Sequence, residues 1–487
     1  MIVPLWSQEE LTEALGATPS APLGAPIDGV SIDTRTLAPR DLFFAIKGEA
    51  GDGHDHVARA FAAGASACVI AQERARELRA PGSVFAVDDT LRAMERLGVA
   101  ARARTRARIV AVTGSVGKTS AKEMLRVALA KAGPTHASPA SYNNHWGVPL
   151  TLARMPAGAA FGVFEIGMNH AGEIAPLVAM VRPHVALVTT IAPVHIEHLG
   201  SLEAIAEAKA EIFTGVEPGG TIVLNRDAPQ FALLERRAGQ ARRRVRTFGA
   251  DASADARLLN FDRQTASVEA SVDGRPITFV LGAPGLHMAQ NALGVLLALE
   301  ALGADPRQGA AALAGFAAQN GRGARMTLHG AGGPFTLIDE SYNANPASMR
   351  AALALLGATS PGADGRRIAV LGDMLELGAE ARRLHTDLAS DLTRNQVDLL
   401  FGAGPLMRGL FEACPPAMRG AWAERSADLR QSVFDAARGG DVVMVKGSNG
   451  SAMGPIVAAL RAHFSASPVS ASPVSASPGA RVKEIQC

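Results

Sequence analysis

The stretch RIVAVTGSVGKTSAKEMLRVALAKAG, Arg108 to Gly133, decides the fold. Its opening, RIVAVTG, is a run of β-branched and small apolar residues that stops at a glycine turn, the pattern of a buried strand. From Lys118 to Gly133 the apolar positions recur at helical spacing. Strand, glycine loop and helix in that order open a phosphate-binding α/β domain. In GSVGKTS (Gly114, Ser115, Val116, Gly117, Lys118, Thr119, Ser120) the small residues let backbone N–H groups approach phosphate oxygens, while the following helix directs its positive end at them. Lys118 is then expected to neutralise the β- and γ-phosphates of ATP, and Thr119 to offer its hydroxyl to magnesium. A longer Walker loop would carry glycine where this chain has Val112, so the match is to the shorter GxxGKT form. The competing reading is an ordinary glycine turn before a helix, and the strand and helix on either side weigh against it.

Working outward, apolar runs follow at FGVFEIG (Phe161 to Gly167), HVALVTTI (His184 to Ile191) and GTIVLN (Gly220 to Asn225), separated by helical stretches. That alternation argues for a parallel sheet. Upstream, to about Arg108, the chain reads as short strands and helices with a turn-rich DGHDH at Asp52 to His56. Downstream, a break at Ala283 to Gly285 leads into the amphipathic HMAQNALGVLLALEALG, and strands at FTLIDE, RRIAVLGD and DVVMVKG imply another α/β domain. The expected architecture is α/β with three domains: a small N-terminal α/β domain over 1–107, a central P-loop parallel-sheet ATPase domain over 108–284, and a C-terminal Rossmann-like α/β domain over 285–464. The tail, 465–487, repeats SASPV, and such Ser/Pro-rich sequence buries too little apolar surface to order itself.

A length of 487 residues fits this division, since it exceeds what one core usually serves. The 48 basic and 46 acidic residues leave a formal charge of +2, so no field of one sign points to nucleic acid or a membrane surface. Arg102, Arg104, Arg106 and Arg108 make a local basic run, expected to be a solvated segment leading into the strand. Cys68, Cys414 and Cys487 are odd in number and widely spaced, which fits a reducing cytoplasm better than a disulfide framework. The start, MIVPLWSQEE, lacks the basic and apolar regions of a leader, and no apolar run is long enough to span a bilayer. A cytoplasmic protein is the expectation.

Two polar residues fall at carboxyl ends of expected strands, where α/β sheets place their ligands. Glu165 ends FGVFE, and His195 follows VALVTTI. Alone, each is more often a surface or satisfied core residue. Beside a nucleotide loop that requires magnesium, they become candidate metal ligands.

The blocks SIDTRTLAPRDLFFAIKG (Ser31 to Gly48), YNNHWGVPLTL (Tyr142 to Leu152), EIGMNHAGEI (Glu165 to Ile174), AKAEIF (Ala208 to Phe213), DESYNANP (Asp339 to Pro346), LGDMLELG (Leu371 to Gly378) and VKGSNGSAM (Val445 to Met453) occur in that order. Together they resemble the Mur ligase family, ATP-dependent amide-bond-forming enzymes of bacterial cell-wall assembly. The resemblance covers almost everything before the tail.

It implies an activity joining D-alanyl-D-alanine to UDP-N-acetylmuramoyl-tripeptide through an acyl phosphate, with ATP and two magnesium ions, in a monomer. It also implies roles. Lys118 and Thr119 serve ATP phosphates and magnesium, Glu165 and His195 hold metal, and Lys209 of AKAEIF matches a lysine that relatives carry as a carbamate. From spacing alone, Lys209 reads as a surface lysine on a helix. Adenine and ribose fall to Asn291, Glu340 and an arginine taken as Arg325, with Arg322 competing because GRGARM offers two. The uridine nucleotide falls to Asp33, Thr34, Arg35, Lys47 and Gly48, and the UDP-sugar peptide to Asn143 and Asn144. The sequence departs from the family pattern at GLHM, where GRHN is usual, and at KGSN, where KGSR is usual. Leu286, Met288 and Asn449 therefore stand where the pattern has arginine, asparagine and arginine. The competing classes are a related ligase, which DESYNANP and LGDMLELG oppose, and a nucleotide-dependent switch, which leaves the acidic, histidine and lysine positions unexplained.

Overall fold

The computed structural model describes residues 4–48, 51–78, 80–194, 196–283 and 285–464; the SASPV repeat and Cys487 lie outside them, as does His195. Among the described residues three α/β units form, each around its own sheet. The first sheet has four parallel strands side by side in chain order, Gly29–Ser31, Asp41–Phe44, Ala67–Ala71 and Ser83–Val87. The helix Thr90–Arg104 closes it, started by Asp89, whose carboxylate accepts from Arg92 N at 2.9 Å.

That helix corrects the reading of the basic run. Arg102 is only 6% exposed, and its guanidinium donates to the carbonyls of Val181 and Arg182, both at 2.8 Å. Arg104 lies 3.4 Å over the Trp6 ring and bonds Glu10 at 3.0 Å. A guanidinium is weakly hydrated and has a flat apolar face, so it packs where a lysine would not. Arg106 and Arg108 are exposed, as expected of the whole run.

The second sheet has a parallel body in the order Arg244–Gly249, Thr221–Asn225, Val185–Val188, Arg108–Thr113, Phe161–Glu165, Thr135–Ala137. An antiparallel ribbon, Ala256–Phe261, Ser267–Val272 and Arg275–Val280, extends its Arg244–Gly249 edge. The strands Arg108–Thr113 and Val185–Val188 are buried throughout all but their first residue or wholly so, which is why they read as continuous apolar runs rather than alternating ones. Helices Lys118–Leu129 and Leu286–Ala301 cover one face, and Ile174–Val181 and Leu202–Ala210 the other.

The helix Leu286–Ala301 departs from the expected division at residue 285. Its Ala289, Leu293 and Leu296 share one core cluster with Val110, Val112 and Met124, and Ala310, Leu313 and Phe316 join the same cluster. We propose that the second unit runs on to about Phe316, with the third beginning before Ala324.

The third sheet runs Ala324–Gly330, Gly333–Glu340, Val442–Lys446, Arg367–Gly372, Leu399–Ala403, Arg419–Ala423, parallel except for its first pair. After Glu340 the block SYNANP turns into the helix Pro346–Ala358. Asn345 caps it reciprocally with Ser348, and Pro346 occupies its first turn. No helix of the described residues is long and apolar enough to cross a membrane.

Candidate active site

The phosphate loop is built from hydrogen bonds that its own short side chains make. Gly114 and Gly117 take φ of 145° and 88°, conformations that residues with a Cβ rarely adopt. Ser115 N donates to Thr190 O at 2.8 Å and its hydroxyl to Ala192 O at 3.0 Å, while Thr189 Oγ1 donates to Val116 O at 2.6 Å. These tie the loop to the end of the neighbouring strand. Gly117 leads directly into the helix Lys118–Leu129, so the helix's unpaired N–H groups face the cleft.

Lys118 Nζ donates back to Gly114 O at 2.7 Å, arching over the loop. Burial pushes its pKa below the ordinary lysine range; Glu165 opposes that and Arg322 adds to it. Thr119 Oγ1 donates to Glu165 Oε2 at 2.8 Å, and Asn143 Nδ2 donates to Glu165 Oε1 at 2.7 Å. Both Thr119 and Glu165 are 2% exposed. A buried carboxylate beside a hydroxyl, with Lys118 near, supplies the sparse protein ligand set that magnesium accepts alongside phosphate oxygens and water. Among the described residues no three His, Cys, Asp or Glu side chains gather as a self-sufficient metal cage.

One cleft of about 520 Å³ brings together Ser115, Val116, Gly117, Lys118, Thr119, Ser120, Asn143, Glu165, Asn291 and Glu340. Gly114 lies at its base through the Lys118 bond. Asn291 stands against the loop so closely that a Cβ on Gly117 would lie 2.5 Å from its Nδ2. From the third unit the cleft receives Glu340, Tyr342, Asn343, Lys446 and Asn449. Lys446, 2% exposed, bonds Glu340 Oε2 at 3.3 Å and Asn343 O at 2.9 Å.

The two arginines of GRGARM part company. Arg322 lines the cleft, lies 4.0 Å over the Tyr342 ring, and donates to Ser141 Oγ at 3.2 Å across the gap between units. Arg325 lines a neighbouring pocket of about 230 Å³ with Gly282, Ala283, His287 and Leu355, and its Nη2 donates to Thr359 Oγ1 at 3.3 Å. Arg322 and Glu340 line both spaces. Met288, which stands where the family pattern has asparagine, lines both as well, and Leu286 is 45% exposed.

Lys209 is not a surface lysine: it is 2% exposed on the helix Leu202–Ala210. Burial, then the charge of Lys118, drive its pKa well below the ordinary range. Asn144 does not line the cleft; its Oδ1 accepts from Gly147 N at 3.0 Å, at the start of the helix Gly147–Ala153. In the first unit Arg35 forks onto both oxygens of Asp33 at 2.7 to 3.1 Å, which holds the Asp33 carboxyl below its ordinary range. Thr34 lies in the turn between them, and Gly48 N donates to Gly51 O at 2.9 Å beside an exposed Lys47. These five residues lie apart from the residues that line the cleft. Ser141, Lys122, Tyr342 and Asn343 were not singled out from sequence. Tyr342 and Asn343 sit inside a recognised block, and Ser141 immediately precedes one.

Three family models match in succession: Mur ligase family, catalytic domain, over 26–131; Mur ligase middle domain over 112–299; and Mur ligase, glutamate ligase domain, over 324–449. The chain belongs to the Mur ligase family. The break between the second and third models falls where the core cluster of the second unit ends. A Bacillus subtilis relative named UDP-N-acetylmuramoyl-tripeptide–D-alanyl-D-alanine ligase is 33% identical over 437 residues, 89% of this chain and 93% of its own. An Escherichia coli relative of the same name is 34% identical over 445 residues, 89% and 94%. A crystal structure of MurF from Acinetobacter baumannii superposes with a TM-score of 0.80 at 27% identity, covering 94% of this chain and 99% of that one. MurF ligase from Thermotoga maritima in complex with ADP, at 23% identity and a TM-score of 0.72, shows the shared fold.

Proposed function

We infer that this Mur ligase joins D-alanyl-D-alanine to UDP-N-acetylmuramoyl-tripeptide at the expense of ATP, forming UDP-N-acetylmuramoyl-pentapeptide, and that it works in the cytoplasm. The observation that carries this is the whole-chain similarity to relatives bearing that name, which takes in the third unit as well as the nucleotide loop common to many enzymes. The cleft supports it chemically. A carboxylate resists attack by an amine because its oxygen is a poor leaving group. Transfer of the γ-phosphoryl group to the tripeptide's terminal carboxylate releases ADP and leaves an acyl phosphate. The dipeptide amine then attacks the acyl carbon, phosphate departs, and the amine's proton is lost as the amide forms.

The loop N–H groups and Lys118 hold the phosphates, while Asn291 and Glu340 face the nucleoside and Arg322 reaches the phosphate end from the segment that joins the second unit to the third. The geometry favours Arg322 over Arg325 for that role, since Arg322 shares the cleft with Lys118. The neighbouring pocket, with its small apolar walls, suits a flat base. Thr119 and Glu165 would hold magnesium, with His195 and a carbamate on Lys209 as further ligands. Bound magnesium supplies charge neutralisation for the phosphate oxygens. Asp33, Thr34, Arg35, Lys47, Gly48, Asn143 and Asn144 are assigned to the UDP substrate, although Asn144 does not line the cleft and its Oδ1 accepts from Gly147 N.

The test is ADP and phosphate release measured against UDP-tripeptides ending in diaminopimelate or lysine, with and without D-alanyl-D-alanine, the product being identified by mass. Turnover that needs both substrates and yields the pentapeptide is expected. ATP hydrolysis independent of the dipeptide would reject this reading and favour a nucleotide switch.

A further inference from the structure

Lys122 lies one helical turn beyond Lys118 on the same helix, yet it is 0% exposed and does not line the cleft. Its ammonium donates to Ser138 O at 2.8 Å and Ala140 O at 3.3 Å and forms an ion pair with Glu123 Oε1 at 2.9 Å. Glu123 is balanced in turn by Arg126 at 2.7 Å. The Ala140 carbonyl also accepts from Ser138 Oγ at 2.7 Å and from Tyr142 N at 2.9 Å. The segment from Ser138 to Tyr142 is thereby knotted onto the helix that begins at Lys118.

What this segment carries is the link between the phosphate loop, the buried carboxylate and the third unit. Ser141 Oγ lies 3.2 Å from Thr119 Oγ1 and accepts from Arg322 Nη2 at 3.2 Å. Two residues on, Asn143 holds Glu165. A buried ammonium is costly to desolvate, and an apolar side chain of similar volume fills space at lower cost, so a wholly enclosed lysine here points to a positional task.

We propose that Lys122 is a positioning residue for phosphoryl transfer: by clamping Ser138 and Ala140 it fixes Ser141 and Asn143, and through them sets Thr119, Glu165 and Arg322 in one arrangement. The proposal rests on the ATP-dependent reading given above. It differs from a merely structural role in its kinetic signature, since the clamp acts on the nucleotide and its metal through Ser141.

The experiment is a double-mutant cycle of Lys122→Met and Ser141→Ala, read by calorimetric titration of ADP in the presence of magnesium and by ligation kinetics. Lys122→Met is expected to weaken ADP–magnesium binding and to lower kcat by about tenfold to a hundredfold, as misplacement of reacting groups does, with the KM for the dipeptide unchanged. Ser141→Ala is expected to show a smaller loss of the same kind. The double variant is expected to be no worse than Lys122→Met, because Ser141 is already displaced in it. Losses that multiply in the double variant, or a Ser141→Ala protein that binds and turns over like the natural one, would overturn the proposal. If Lys122→Met does not fold, Ser141→Ala alone decides, since it removes only a hydroxyl. A natural chain that binds ADP with magnesium but ligates nothing would reject the ligase reading, while the cycle in binding would still test the clamp.

Discussion

Lysine chemistry in this protein is set by enclosure. Lys118 faces the cleft and its charge is useful there, so Lys118→Ala is expected to abolish ligation while leaving the thermal melt close to that of the natural chain, because little core packing is lost. Lys209 is enclosed, and the lowering of its pKa by burial favours the neutral amine that the carbamate proposed above would need. Lys209→Ala is therefore expected to be nearly inactive, with partial rescue by added formate entering the vacated space. Lys209→Arg should fail with or without formate, since a fixed positive charge repels metal. Natural activity in either variant would count against the carbamate. His184 offers a test of stability rather than activity. Its Nδ1 accepts from Ile109 N–H at 3.0 Å, and burial, helped by Arg108, lowers its pKa from 6.5 to about 4. A histidine that is harder to protonate when folded stabilises the fold above the unfolded pKa, and this contribution is lost as pH falls through the window between 6.5 and about 4. The melting temperature is expected to fall across that window. His184→Asn, whose amide oxygen can accept the same N–H, should show a shallower fall when both proteins are melted at a series of pH values.

At the scale of the element, the glycine loop and its helix work only because a second helix is packed against them. Gly117→Ala places a methyl group 2.5 Å from Asn291 Nδ2 and asks alanine to hold φ of 88°. The strain alone costs about 1–2 kcal/mol, but the displacement of Asn291 from the nucleotide should cost more in function. A raised KM for ATP with a melting temperature lowered by only a few degrees is expected; unchanged kinetics would show that Asn291 has no nucleotide contact. This element also marks what the sequence makes legible. Strand Arg108–Thr113, the loop and the helix from Lys118 are adjacent in the chain, and local pattern is enough to read them. Helix Leu286–Ala301 is legible as a helix, but it is buried around most of its circumference rather than amphipathic as expected, so its pattern names no single partner sheet. The sequence pattern alone therefore groups it with the unit that follows it. Spacing points the wrong way at Lys209 for a related reason: a lysine on a short helix is ordinarily solvated, and only the fold shows that this one is enclosed.

Across the whole molecule, the decisive contacts are those that a single unit cannot make. Arg322 belongs to the segment that joins the second unit to the third, is stacked on Tyr342 of the third, and donates to Ser141 of the second. Its charge is felt at Lys118, which lies at the phosphate end of the cleft. Arg325, three residues later in the strand Ala324–Gly330, is engaged with Thr359 and lines only the neighbouring pocket. Arg322 already spans from Tyr342 to Ser141, so its charge stands beside Lys118 at the end of the cleft where phosphate would bind. Arg322→Ala is expected to lower kcat by about a hundredfold to a thousandfold, the range found for loss of a single oxyanion donor. It should also reduce the rise in melting temperature that ATP and magnesium produce, because the nucleotide would no longer draw the third unit onto the second. Arg325→Ala is expected to change the KM for ATP more than kcat. If the two variants exchanged these signatures, the arginine serving the phosphates would be Arg325, and the bond between Arg322 and Ser141 would be left with no part in phosphoryl transfer.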